Sequence, residues 1–455
     1  MQATPALKEA FHKWAESNYA ETFFEQLEAR IKEVTDLINA LPNPFQNGRK
    51  GLPYTTSLKL PEDITSYRLH GLENLGLNSN QDTQGRTCTI QGTLLCDGEF
   101  QIFLECYYTG WLQGMPPICR SFPFLINPNP RELWKVIPVP ADIEYPTPDS
   151  DCAYIRVDSA QGQPQKDVLA ASRRGRSHEH AGKPRDDNFS LAHCPETNWY
   201  IAAVADGAGS AAFSREGSRL ACASAVRFCK NMLAQVDNEI DQKITIVLKN
   251  ALAQNVTVPQ LKAMFNAENV GFFYDLLAGA AHQAYKDIKH EADSTKRPPN
   301  LYATTLLLLV GKRFQSGLWL LASFNIGDGA IGIIGKDPQR SWLFCTPDEG
   351  EYSGQTRFVT MQSIFSDYLS LKKRIQVTVV NDFTAALLMT DGVSDAKFET
   401  DANLNNPQKW AELWAELKTE VHLDAKDHKS QHELLEWLGF WSQGNHDDRT
   451  IVIIS

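Results

Sequence analysis

An α+β fold is predicted for residues 156–455 on three observations. Apolar runs of strand length recur at 199–205, 304–310, 318–326, 330–334, 385–389 and 450–454. Helical stretches fall at about 214–236, 239–254, 258–292, 407–421 and 429–441. The two kinds of segment do not alternate strictly, which argues against a parallel βαβ sheet.

The elements upstream follow in order. Over residues 5–41 apolar side chains recur at Leu7, Phe11, Trp14, Phe23, Leu27, Ile31, Val34, Leu37, Ile38 and Leu41, over most of the stretch with the three- and four-residue steps of an amphipathic helix. This defines an N-terminal helical segment, 1–42. Residues 50–115 read as short strands separated by turn residues and predict a small β-sandwich of immunoglobulin-like type. Within it, 87–95 and 99–107 flank Asp97-Gly98, which predicts a hairpin turn. Nine prolines between Pro116 and Pro148 favour extended backbone without amide donors, so 116–155 reads as an ordered connector to the α+β domain.

Composition bounds the function. With 455 residues, 42% hydrophobic and 22% charged, the chain has the make-up of a folded protein of two or three domains. A net charge of −11 argues against broad binding to nucleic acid or to anionic membrane. The nine cysteines include no CxxC pair, so buried thiols in a reducing compartment are expected. The N-terminus lacks the basic and apolar regions of a signal peptide, and no run of ~18 apolar residues occurs. A cytoplasmic location is therefore expected.

The chemistry concentrates where apolar runs end in aspartate: Val204-Ala-Asp206-Gly207-Ala-Gly209, Gly327-Asp328-Gly329, Thr390-Asp391-Gly392-Val-Ser-Asp395 and Asp447-Asp448-Arg449-Thr450. A further pair, Asp186-Asp187, precedes the segment starting at Asn188. A single Asp-Gly is ordinarily a turn. Carboxylates gathered in one cleft repel one another, and hard divalent cations with oxygen ligands offset that repulsion.

In number and order these motifs resemble the metal-dependent serine/threonine phosphatases, the PPM or protein phosphatase type 2C family, in a bacterial-type form over about residues 168–455. The resemblance implies a central β-sandwich of two antiparallel sheets flanked by helices, and hydrolysis of phosphoserine or phosphothreonine in proteins. It implies two Mg2+ or Mn2+ ions, with a weaker third in some members. Asp206 would bridge the two metals with the Gly207 carbonyl on one of them. Asp391 and Asp447 would complete the first metal, Asp187 would serve the second with Asp186 beside it, and Asp328 and Asp395 would hold the third. Two such ions activate a shared water for direct attack on phosphorus, and no Cys-x5-Arg phosphate loop is present.

The sequence departs from the family where an arginine before the acid pair grips the substrate phosphate. No arginine of Arg173-Arg-Gly-Arg-Ser-His-Glu-His180 or of the following residues to Arg185 falls at the usual spacing, and Arg176 or His178 is the expected substitute. His178 and His180, read as a pair, suit a solvent-exposed loop better than a metal site. Trp410, Trp414, Trp437, Phe440 and Trp441 fall at helical spacing as core. Residues 337–382 read as a flap over the site. A catalytically silent relative that binds a partner is the alternative reading, and a two-metal nuclease is disfavoured by charge. The N-terminal half is expected to regulate or to hold a partner such as a cognate kinase, or else to pack as a stabilising element.

Overall fold

The computed structural model describes residues 5, 9, 13–16, 18–81, 86–112, 114–158, 165–253, 267–348, 356–423 and 429–455. The chain forms two compact units, Met1–Trp134 and Lys135–Ser455.

In the N-terminal unit the helix Asn18–Asn39 buries Val34 and Ile38. Among the described residues it is followed by seven strands: β1 (Gly48–Arg49), β2 (Pro53–Lys59), β3 (Ile64–His70), β4 (Leu77–Gln81), β5 (Thr87–Thr93), β6 (Gly98–Tyr108) and β7 (Ile118–Asn127). They form two sheets, β1-β7-β6-β3 and β2-β5-β4. One core joins both sheets and the helix, with Leu58, Ile90, Leu104 and Phe124 among its members. The turn at Asp97-Gly98 is not a hairpin, because β5 and β6 lie in different sheets. Alternation of apolar and polar residues marks one buried face, and it reads identically whether the next strand pairs alongside or crosses to the facing sheet. The proline-dense segment also differs from a plain connector. Its residues 118–127 are β7, with Pro123 opposite Gln101 of β6, and its last six are the first strand of the C-terminal unit.

Among its described residues that unit has eleven strands: β8 (Ser150–Ile155), β9 (Val168–Arg173), β10 (Asn188–Cys194), β11 (Trp199–Ala205), β12 (Leu306–Arg313), β13 (Trp319–Ile326), β14 (Ala330–Ile334), β15 (Trp342–Cys345), β16 (Ile375–Val380), β17 (Ala385–Met389) and β18 (Arg449–Ile454). They make two antiparallel sheets, β10-β11-β12-β13-β16 and β15-β14-β17-β18-β9-β8. A boundary at 156 would therefore cut off β8, an edge strand paired along its whole length with β9.

Strand periodicity of two explains the layers. Along β11, Tyr200, Ala202 and Val204 point between the sheets, where they join Leu307, Leu309, Ile331, Leu388 and Val452. Trp199, Ile201 and Ala203 point outward onto the helices Ser214–Ala253 and Ala267–Ser294. On the far side Leu387, Met389, Ile451 and Ile453 meet the helices Pro407–Glu420 and Lys429–Trp437. Strands buried on both faces read as continuous apolar runs, which is why the sequence announces them. Trp410, Trp414 and Trp437 lie in that last core with Phe440 packed against it. All nine cysteines are free thiols, and no described helix is long and apolar enough to cross a membrane.

The stretches 214–236 and 239–254 form one helix, not two. Asp237, in the polar step between them, accepts from Trp199 Nε1 and Lys312 Nζ, both at 2.7 Å. The polar residues mark an internal anchor there, not an end. Of the flap read over 337–382, residues 349–355 lie outside the described residues, while β15 and β16 belong to the two sheets.

Candidate metal centre

Register alone brings the acidic motifs to one rim. Asn188 at the start of β10 pairs with Ala205 at the end of β11, so Asp187 and Asp206 are neighbours. Leu306 pairs with Ile326, which puts Thr305 beside Gly327-Asp328. Met389 pairs with Ile451, and Arg449 pairs with Arg173, so Asp391 and Asp447-Asp448 emerge at the same end of the other sheet.

Local chemistry places each acidic residue. The Asp206 amide donates to Thr305 Oγ1 at 2.8 Å, and its carbonyl accepts from Thr304 Oγ1 at 2.8 Å. Asp187, buried, accepts at Oδ2 from the hydroxyls of Thr390 and Thr450 at 2.8 and 2.7 Å. Asp391 opens the helix Asp391–Phe398, where the positive end of the helix dipole favours a negative charge. Asp328 accepts from Thr356 Oγ1 at 2.6 Å.

Carboxylate oxygens of Asp206, Asp328 and Asp391 lie within 4.8 Å of one another. Oδ1 of Asp186, Asp187, Asp328 and Asp391 is buried without a hydrogen-bond partner. Burial and mutual repulsion push the carboxyl groups up: Asp206 and Asp391 well above the usual range, Asp187 to about 7 and Asp186 to about 6. Unpaired buried acceptors that resist ionisation fit hard divalent cations, since an all-oxygen donor set suits Mg2+ or Mn2+.

Asp448 plays a different part. Its Oδ1 accepts from the Gly175 amide at 2.6 Å, and its Oδ2 accepts from the Asp186 amide at 2.6 Å and from His178 Nδ1 at 2.9 Å. It thereby fastens the loop carrying the acid pair to the start of β18. Burial opposes the charge on His178, but Asp448 and Asp186 prevail and raise its pKa to about 9. His178 Nε2 is 3.9 Å from Asp186 Oδ2. The expectation that His178 and His180 are exposed together is therefore corrected, since only His180 is exposed. Asp447 shares the cluster with His178 and Asp448 but is exposed. Asp395 is also exposed, one helical turn beyond Asp391. Arg176 donates to the Gly439 carbonyl at 3.1 Å, with its guanidinium 5.3 Å from the Trp441 ring centre.

Close backbone approach at this rim requires glycine, most tightly at two positions. A Cβ on Gly175 would sit 2.2 Å from the Asp447 carbonyl carbon, and one on Gly392 would sit 1.9 Å from the Asp448 carbonyl oxygen. Gly392→Ala is expected to destabilise the protein by about 1–3 kcal/mol through overpacking, read as a lowered melting temperature. Gly271→Ala, which meets nothing within 4 Å, is the matched control and should melt no lower.

Several positioning groups carried no sequence signal. Arg215, just inside the helix Ser214–Ala253, donates to the carbonyls of Glu144 and Tyr145 and reaches 3.9 Å from Asp186 Oδ1. Thr147 Oγ1 donates to the Arg185 carbonyl at 2.8 Å, and Arg174 pairs with Asp149 at 3.1 Å. Residues 144–149 thus form a strap across the acid-pair loop. Thr390 and Thr450 lie within the acidic motifs, yet nothing in their spacing marks them as the clasp on Asp187.

A sequence profile of the protein phosphatase 2C family matches residues 174–439. No curated protein sequence matches. Among solved structures, the PPM Ser-Thr phosphatase MsPP from Mycobacterium smegmatis is 16% identical with a TM-score of 0.32, covering 63% of this chain and 97% of that one. RsbX in complex with magnesium is 13% identical with a TM-score of 0.31, over 66% and 99%. A phosphatase from a pathogenic strain of Toxoplasma gondii is 10% identical with a TM-score of 0.38, over 64% and 92%.

Proposed function

The chain belongs to the protein phosphatase 2C family, and from that membership we propose that it is an active metal-dependent serine/threonine protein phosphatase. The observation that carries the reading is the set of buried, unpartnered carboxylate oxygens on Asp186, Asp187, Asp328 and Asp391, beside Asp206. Asp206 with the Gly207 carbonyl, Asp391 and Asp447 would hold one ion, Asp187 and Asp206 a second, and Asp328 with Asp395 a third. Bound Mg2+ or Mn2+ supplies Lewis acidity and an activated water for in-line displacement at phosphorus.

The chain's own residues do the rest. The hydroxyls of Thr390 and Thr450 occupy Asp187 Oδ2 and leave Oδ1 for a ligand. His178, held protonated by Asp448 at neutral pH, brings a positive charge to the edge of the cluster, alongside the Arg215 guanidinium 3.9 Å from Asp186 Oδ1. Arg176 is the second candidate for that role, though Gly439 and Trp441 already engage it. The N-terminal unit, with a core of its own, is assigned a regulatory or partner-binding part, a cognate kinase being the class of partner.

Purified full-length protein is expected to hydrolyse a phosphothreonine peptide with Mn2+ or Mg2+ and not with EDTA. Calorimetric binding of metal without any turnover would sink the catalytic reading in favour of a silent, partner-binding relative.

A further inference from the structure

We propose that a basic pocket beside the carboxylate cluster receives a second anionic group of the substrate, a carboxylate or phosphate flanking the phosphoresidue under attack. This deepens the phosphatase reading and rests on it. A cavity of 310 Å³ is lined by Asn325, Thr346, Asp348, Arg357, Lys373 and Arg374, within the size range of small-ligand sites.

Its charges are unequal. Arg374, buried, donates from Nε to Asp348 Oδ2 at 2.7 Å and from a terminal nitrogen to the Ser370 carbonyl at 2.7 Å. That pair is neutral and stiffens the wall. The Arg357 guanidinium is 4.0 Å from Asp348 Oδ1, beyond hydrogen-bond reach. Lys373, exposed at the end of the helix Tyr368–Lys373, makes no ion pair among the described residues. Among the described lining residues three cations thus face one carboxylate, with Asp367 acting on Lys373 from the start of the same helix, on a chain whose net charge is −11. Such a local reversal of sign attracts anions, and a guanidinium offers bidentate geometry to carboxylate and phosphate alike.

The pocket is tied to the cluster by two bonds. The Asp348 amide donates to the Gly327 carbonyl at 2.7 Å. Thr356, adjacent to Arg357, donates from Oγ1 to Asp328 Oδ2 at 2.6 Å. A peptide whose phosphoresidue sits at the carboxylates therefore passes its neighbouring side chains over Arg357 and Lys373. The same two cations would counter the repulsion that an acidic peptide meets at a carboxylate-rich rim.

The test uses Mn2+-loaded full-length protein and three phosphothreonine peptides, flanked by glutamates, by a second phosphothreonine, or by glutamines, with p-nitrophenyl phosphate as a substrate lacking any flank. The anionic peptides are expected to exceed the glutamine peptide about five- to tenfold in kcat/KM, mostly through KM, as two partly exposed charge contacts allow. The Arg357→Gln/Lys373→Gln double variant should lose that margin while hydrolysing p-nitrophenyl phosphate at the wild-type rate. A margin for one anionic peptide alone identifies the anion taken. Equal kcat/KM for all three peptides, or a margin that survives in the double variant, overturns the subsite. If p-nitrophenyl phosphate and every peptide go unhydrolysed, the phosphatase reading fails separately. Fluorescence anisotropy with the same peptides then decides the subsite, a shared affinity overturning it and an anionic preference lost in the double variant supporting it.

Discussion

Asp206→Asn is expected to cut Mn2+-dependent hydrolysis of a phosphothreonine peptide by ~10³-fold or more, while making the metal-free protein more stable at neutral pH. The two effects have one origin. The Asp206 backbone is pinned by Thr304 and Thr305, and asparagine has the same shape, so the loop should keep its course. What changes is the charge. Burial, then Asp391, Asp187 and Asp447, all oppose ionisation of this carboxyl, so neutralising it relieves the folded state. A residue that supports folding but not the chemistry would show the reverse, lower stability with activity kept. Differential scanning fluorimetry in EDTA and peptide turnover in Mn2+ read the two signs; a lower melting temperature with undiminished turnover would remove Asp206 from the metal-holding set.

Stripping divalent cations with EDTA should leave a protein whose melting temperature falls as pH rises from about 4 to 8. The sign follows from the groups at the rim. The carboxyl groups of Asp186 and Asp187 are raised from the usual 3.8 to about 6 and about 7. Between those limits the folded chain keeps protons that the unfolded chain has released, so each step up in pH favours unfolding. His178, raised from 6.5 to about 9, acts in the same direction, since the favourable contact of its cation with Asp448 is full below about 6.5 and is lost through 9. Divalent cations compete with those protons, so the stabilisation by Mn2+ should be larger at pH 8 than at pH 5. A metal-free protein that melts as high at pH 8 as at pH 5 would show that the cluster's charges are offset from within the chain.

Strands buried on both faces and ending in Asp-Gly were legible because burial and chemistry are both written in consecutive residues. The rim itself was not, since it depends on which strand ends pair, and register across 100 or more residues leaves no local trace. Thr390, just past the end of β17, and Thr450 of β18 hold Asp187 from the facing sheet, a relation visible only once β10 and β18 are placed. The helix through Asp237 was misjudged because an Asp-Asn step reads as solvent-facing, whereas Trp199 and Lys312 give the carboxylate partners inside the fold. His178 was expected in water because its neighbours are polar, yet an equally polar partner from the far end of the chain, Asp448, takes it under cover.

The layer between the two sheets acts as a gauge block for the chemistry. Asp187, Asp206 and Asp328 leave from one sheet, and Asp391 and Asp447 from the other. Their separation is therefore set by the thickness of what lies between, the side chains of Val204, Leu307, Leu388 and Val452. Close-packed interiors transmit a change of even one methylene. Trimming one of these residues would alter the span that the oppositely mounted carboxylates must bridge, without touching a single ligand. In a phosphatase of this architecture, the radius of ion that fits would be set partly by aliphatic residues that never meet it.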